Sequence, residues 1–204
     1  MKTLMFDLSE VLICGLIGIE KDLSQILNIP NDTILPQFGG NILVDLCRGE
    51  ITEDEYLSHV MGASGWTIPN NLLKEIIRKN FHHQVEGMIS LLKSLYKQFP
   101  LVLVSDHARE WIKYIEKNHS FLSLFQRKVY SFNTGMVKND PACFPSILNT
   151  LHCKGEDCIF IDDNPRNVEQ ARLVGIHAIL FKSRSKLESD FIRVGVNING
   201  RTKC

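Results

Sequence analysis

Five short, almost unbroken apolar segments constrain this chain more than any other feature. They span residues 3–8 (TLMFDL), 100–105 (PLVLVS), 128–131 (KVYS), 158–162 (CIFID) and 177–181 (HAILF). Hydrophobic runs of this length, without strict alternation, suit strands covered on both faces of a parallel sheet. Helical patterns separate them. Met88, Leu91, Leu92, Leu95 and Tyr96 form an apolar stripe before the second segment, and Trp111, Ile112 and Ile115 follow it. Phe144, Ile147, Leu148 and Leu151 recur at helical spacing before Cys158. Asn164 and Pro165 read as an N-cap and first helical position, with Gly175 closing that helix. Strand and helix in alternation predict an α/β fold, a doubly wound Rossmann-like parallel sheet.

The pattern changes between the first and second segments. Residues 15–85 carry no strand signal but several helical stripes: Leu23, Ile26 and Leu27; Tyr56, Leu57, Val60 and Met61 behind the box Thr52 to Glu55; and Leu72, Leu73, Ile76 and Ile77 after Pro69. A stretch of this size is too long for a simple loop. The expected division is a core of residues 1–14 and 86–204 with a helical insert, 15–85, above the strand ends, where such sheets bind ligands.

With 204 residues, 44% of them hydrophobic, one sizeable core is expected. Lysine plus arginine and aspartate plus glutamate balance at 23 each, so the overall charge supports neither a nucleic-acid nor a membrane-surface partner. Asp7 and Glu10 interrupt the apolar N-terminus, and no run of about 18 apolar residues exists, so a cytoplasmic protein without a membrane span is expected. The six cysteines form no CxxC pair and read as free thiols, with Cys204 exposed.

Polar residues stand at or just beyond the ends of four of the apolar segments. Asp7 follows TLMF, Ser105 and Asp106 follow LVLV, Lys138 lies in GMVKNDP beyond the third segment, and Asp162 and Asp163 follow CIFI. A carboxylate closing a hydrophobic strand is costly unless it is paired or holds a metal. One such residue could be chance; four sites in this order are hard to dismiss.

At these residues the chain resembles the haloacid dehalogenase superfamily. FDLSEVL resembles its first motif, VSDHARE the second, GMVKNDP the third and FIDDNPRNVEQARLVGI the fourth. The nearest resemblance is to bacterial phosphatases similar to α-D-glucose-1-phosphate phosphatase, whose first motif also lacks a second aspartate. The resemblance implies that the insert is a C1 cap. It implies that Asp7 is a nucleophile forming an aspartyl-phosphate, and that Mg²⁺ is held by Asp7, Asp163 and the Ser9 backbone carbonyl. Asp162 would ligate the metal or orient a metal-bound water. Mg²⁺ suits a site of carboxylates and phosphate oxygens, because a carboxylate and a phosphate dianion repel each other unless a cation screens them. Ser105, Ser9 and the backbone N–H of Asp106 would contact the phosphoryl group of a small-molecule substrate, while Lys138 neutralises its charge and keeps Asp7 ionised.

Three departures from the family pattern stand out. Ser9 replaces the aspartate that serves as acid and base, a loss worth about 10²–10⁴ in rate. Sugar 1-phosphates, whose leaving groups need little protonation, would suffer least. Glu10, Asp106 or His107 are the candidates to supply the proton instead. Asp106 stands where asparagine is common, and Glu10 where glycine is common, which stiffens the turn after Ser9. The expected function is a Mg²⁺-dependent phosphatase of a small phosphorylated metabolite. The competing readings are a 2-haloacid dehalogenase, which needs no metal and usually lacks the acidic pair, and a catalytically weak protein that binds a phosphorylated ligand or partner.

Overall fold

The structure is a computed structural model describing residues 2–198; Cys204 lies outside the described residues. Its sheet has five parallel strands in the order β3-β2-β1-β4-β5. These are β1 (Thr3–Phe6), β2 (Leu101–Ser105), β3 (Arg127–Tyr130), β4 (Cys158–Asp162) and β5 (His177–Leu180). Each expected strand is present, β4 with the expected bounds and the others with ends shifted by one or two residues.

Alternation along the strands splits the core into two layers. Leu4, Phe6, Leu101, Leu103, Ile159 and Ile161 face one side, under α5 (Met88–Leu95), α6 (Arg109–Asn118) and α10 (Arg184–Arg193). Met5, Val102, Val104, Cys158 and Phe160 face the other, under α8 (Cys143–Leu151) and α9 (Pro165–Leu173). A one-turn helix (Ser131–Thr134) follows β3. Helices on both faces bury the sheet and account for the near-continuous apolar strands. Asn164 caps α9 as expected, accepting from the Arg166 N–H at 3.0 Å.

The stretch between β1 and α5 is helical: α1 (Ile19–Leu27), α2 (Asn41–Arg48), α3 (Glu53–Ser64) and α4 (Asn70–Asn80). The Thr52–Glu55 capping box starts α3. The two chain passages joining this insert to the sheet pair with each other: Cys14 N–H donates to His83 O at 2.8 Å and Val85 N–H to Leu12 O at 2.9 Å. Two stripe residues are not core. Ile26 is 47% exposed, and Tyr96, one residue beyond the end of α5, is 43% exposed. Two helices carried no clear sequence signal. α2 is bracketed by Gly40 and Gly49, both at positive φ, and α10 has only Leu187 and Phe191 buried.

The strand order reverses direction between β1 and β4. In a doubly wound sheet, the crevice outside the carboxyl ends at that switch point is where ligands bind.

Candidate active site

β1 and β4 flank the switch point and deliver the acids. Asp7 stands one residue beyond β1, where its N–H still donates to Ile161 O at 2.9 Å, so the backbone under the side chain stays tied to β4. Asp162 ends β4 and is fully buried; Asp163 follows it. Carboxylate oxygens of Asp7, Asp162 and Asp163 lie within 4.8 Å of one another. The loop beyond β3 brings in Lys138, 2% exposed, with Nζ 2.7 Å from Asp7 Oδ1 and 2.6 Å from Asp162 Oδ2.

Asp162 is already saturated. Its oxygens accept from the Asn164 N–H at 2.8 Å, from Asn167 Nδ2 at 3.2 Å to each oxygen, and from Lys138. It anchors the ammonium and the loop entering α9, whereas Asp7 and Asp163 keep oxygens turned to the cleft. Asn167, whose amide braces Asp162, carried no sequence signal beyond lying one turn into a helix that follows the acidic pair.

Asp106, beyond β2, accepts the backbone N–H of Lys138 at 3.1 and 3.0 Å. Its carboxylate therefore shapes the loop that presents the lysine, which gives this extra acid a role within the fold. Ser105 is placed differently from expectation. It lines a narrow cleft with Val129, Ser131, Cys143 and Ile147, not the chamber at the strand ends, and its buried Oγ has no hydrogen-bond partner.

The chamber at the strand ends, about 280 Å³ and smaller than two grooves elsewhere on the surface, is lined by Asp7, Ser9, Asp106, Lys138 and Asp163, with His107, Glu10 and Asn167. Leu43 and Cys47 of α2, with Phe81 and Trp111, form its apolar wall. Trp111, part of the apolar stripe after the second segment, is buried and also forms part of this wall. Glu10 takes a left-handed backbone (φ +60°), strained for a side chain larger than glycine, and its carboxylate accepts the Gly15 N–H at 2.7 Å.

The electrostatics follow from burial. Burial pushes Asp7 well above the usual carboxylate range; Lys138 opposes this, and Asp162 and Asp163 add to it. Burial, reinforced by Asp162, likewise raises Asp163, and burial raises Asp106 and Glu10. Burial alone would lower Lys138, but Asp162, Asp7 and Asp106 outweigh it and hold the ammonium above its ordinary value. Burial, with help from Lys138, pushes the His107 imidazole down to about 3, so it is neutral. Two buried carboxylates thus share one buried cation beside a third, half-buried acid, a deficit of positive charge that oxygen donors of this kind relieve by binding a hard divalent ion.

A sequence model described as "Haloacid dehalogenase-like hydrolase" matches residues 19–181; the match begins beyond Asp7 and Ser9. Over 196 residues, 96% of this chain and 78% of the relative, the chain is 24% identical to flavin mononucleotide hydrolase 1 of Arabidopsis thaliana. A haloacid dehalogenase family enzyme of Bacteroides thetaiotaomicron, solved with magnesium and inorganic phosphate, superposes with a TM-score of 0.72 at 20% identity, covering 90% of this chain and 96% of that one. An L-2-haloacid dehalogenase superposes at 0.70 with 14% identity, covering 87% and 85%.

Proposed function

The chain belongs to the haloacid dehalogenase-like hydrolases, and from that premise we propose that it is a Mg²⁺-dependent phosphatase acting on a small phosphorylated metabolite, with Asp7 as nucleophile. The observation that carries this reading is the charge imbalance at the strand ends: Asp7, Asp162 and Asp163 lie within 4.8 Å of one another, and among the described residues Lys138 is the one cation ion-paired with them, Lys182 acting on Asp163 from farther off. A dehalogenase, which displaces halide without a metal, has no use for that many acids.

The donor set fits Mg²⁺. All the candidate ligands are oxygens, from Asp7, Asp163 and the backbone carbonyl of Ser9, while Asp162 holds Lys138 and Asn167 in place. The relative crystallised with magnesium and phosphate supports the choice of ion. When bound, Mg²⁺ would screen the phosphate from the carboxylates and polarise the phosphoryl group.

The chain's own residues do the rest. Asp7 attacks phosphorus, and the bond to the leaving oxygen breaks as an aspartyl-phosphate forms; water then attacks that phosphorus and releases phosphate. Lys138 neutralises phosphoryl oxygens and favours the ionised form of Asp7 against the penalty of burial. The unpartnered Oγ of Ser105 and the Asp106 N–H are the donors assigned to the phosphoryl group, Ser105 turning its hydroxyl to the chamber when a phosphate is bound. The helices of residues 15–85 act as a cap, closing the chamber to water through Leu43, Cys47 and Phe81.

A chamber of about 280 Å³ falls just below the usual span of ligand pockets, about 300–1,000 Å³. It supports a sugar-sized leaving group, in keeping with the resemblance to glucose-1-phosphate phosphatases. At 24% identity, the flavin substrate in the relative's name is not carried over.

The test is phosphate release from a panel of small phosphate monoesters with Mg²⁺ and with EDTA. Release that needs Mg²⁺ is expected. Metal-independent halide release from 2-haloacids would replace this reading with the dehalogenase. Phosphate binding without turnover would replace it with the ligand-binding protein.

A further inference from the structure

Ser9 occupies the position two residues beyond the nucleophile, and its side chain is held from two sides. On one side is Gly15: a Cβ there would stand 2.8 Å from both Cβ and Oγ of Ser9, so only glycine leaves room for the serine. On the other, Ser9 Oγ lies 3.0 Å from His107 Nε2. His107 is itself immobilised. It is 3% exposed, its ring packs edge-on against Phe81 and Trp111 with centroids 5.6 Å away in each case, and its backbone N–H donates to Ser131 Oγ at 3.0 Å.

The remaining ring nitrogen settles the direction of the hydrogen bond. Nδ1 is buried and has no partner. A neutral imidazole carries one N–H. A proton on Nδ1 would be a buried donor with nothing to accept it, a state rarer in proteins than an unpaired acceptor. A proton on Nε2 is matched by Ser9. His107 therefore donates to Ser9 Oγ, and the serine's own hydroxyl proton is left to point elsewhere. Ser9 and Asp7 line the same chamber.

We propose that His107 is a positioning residue that turns Ser9 into an oriented, uncharged hydrogen-bond donor to the oxygen leaving phosphorus. The proposal rests on the phosphatase reading above. In the first step the bond from Asp7 oxygen to phosphorus forms and the bond from phosphorus to the leaving oxygen breaks. The electron pair stays on that oxygen, Ser9 stabilises it without surrendering its proton, and solvent water protonates the product alcohol. The chain thus replaces proton transfer by a fixed hydrogen bond, which suits leaving groups that depart with little protonation.

The experiment compares Ser9→Ala, His107→Phe and the double variant, all with Mg²⁺, on aryl and alkyl phosphates of graded leaving-group basicity. Each single change is expected to lower kcat on an alkyl phosphate about tenfold, the kinetic worth of one hydrogen bond. The loss should shrink for nitrophenyl phosphate, with KM little changed. The double variant should be no slower than Ser9→Ala, because His107 acts through the serine. His107→Gln, which can present an N–H where Nε2 stands, should recover most of the rate. Losses that multiply in the double variant, or that are equal across all leaving groups, overturn the proposal. Long-range ¹H–¹⁵N spectra of the unaltered chain read the tautomer without turnover: Nε2–H is expected, and Nδ1–H overturns the assignment. No phosphate release from any ester would end the phosphatase reading, and the donor role with it, even with the Nε2–H tautomer in place.

Discussion

Acids are buried at two places among the described residues of this protein, and the two are built for opposite ends. Glu53, at the start of α3, is 2% exposed. It takes both arms of Arg78 at 2.7 Å each, the Trp111 Nε1–H of the core helix at 2.7 Å, and Lys74 at 3.8 Å. Its oxygens are partnered and its charge is balanced by Arg78, with Lys74 shared between it and Asp54, so it locks the insert to the core. At the strand ends, Asp7, Asp162 and Asp163 crowd around the single Lys138. Burial of an acid is therefore not in itself a mark of chemistry. What separates the two is whether the protein supplies enough opposing charge; where it does not, a cation and a substrate complete the set.

The contrast is tested most sharply by removing one acid from each group. Asp7→Asn is expected to cut phosphate release by at least about 10³-fold, while the melting temperature holds or rises because one uncompensated charge is gone. A variant that still releases phosphate, or that unfolds more readily, would put Asp7 in the structural class. Glu53→Ala should do the reverse. Leaving Arg78 and the Trp111 N–H without their acceptor is expected to destabilise the fold by about 2–4 kcal/mol in urea denaturation. An unchanged midpoint would mean that the insert is held by packing alone.

The charge deficit also predicts how the metal should act. The folded-state pKa values of Asp7 and Asp163 are raised. In the metal-free protein these groups therefore contribute stability below the ordinary carboxylate range, and that contribution is lost as pH rises through their raised values. Mg²⁺ binds the ionised forms, so its stabilisation should grow over the same interval. It should reach about 2.7 kcal/mol at one hundred times its dissociation constant near neutral pH. Thermal melts with Mg²⁺ and with EDTA at acidic and neutral pH check this; an effect of Mg²⁺ that is the same at both would contradict it. The smallest effect belongs to Arg48, whose 2.7 Å pair with Asp140 joins α2 to the Lys138 loop while both side chains stay partly exposed. Arg48→Ala should cost less than about 1 kcal/mol, and the loss should shrink in high salt.

Much of this is legible in the order of residues alone. The strands were readable because a strand buried on both faces must be apolar along its length. The acids at positions 7, 162 and 163 stood out because a charge ending such a run needs a reason. Asp162 is expected from the sequence to ligate the metal or orient a metal-bound water; only the structure adds its three protein donors, Lys138, the Asn164 N–H and Asn167. Ser105 was expected in the chamber because it ends β2, but the position of a hydroxyl depends on how the side chain turns, which the strand pattern does not encode. α2 was missed because its eight residues sit between glycines with no long apolar stripe, yet it supplies Leu43 and Cys47 to the chamber wall.

The amino-acid sequence determined by itself the parallel sheet, its strand-end acids and the lysine beyond β3, since these follow from the order of residues along short segments. The tertiary structure alone decided which side chains meet across the chain. His107 reaches Ser9 over 98 positions, and Trp111 reaches Glu53 over 58. Those pairings, and with them the serine's orientation and the lock on the insert, depend on how helices seat against the sheet, and side-chain packing of that kind leaves no local pattern to read.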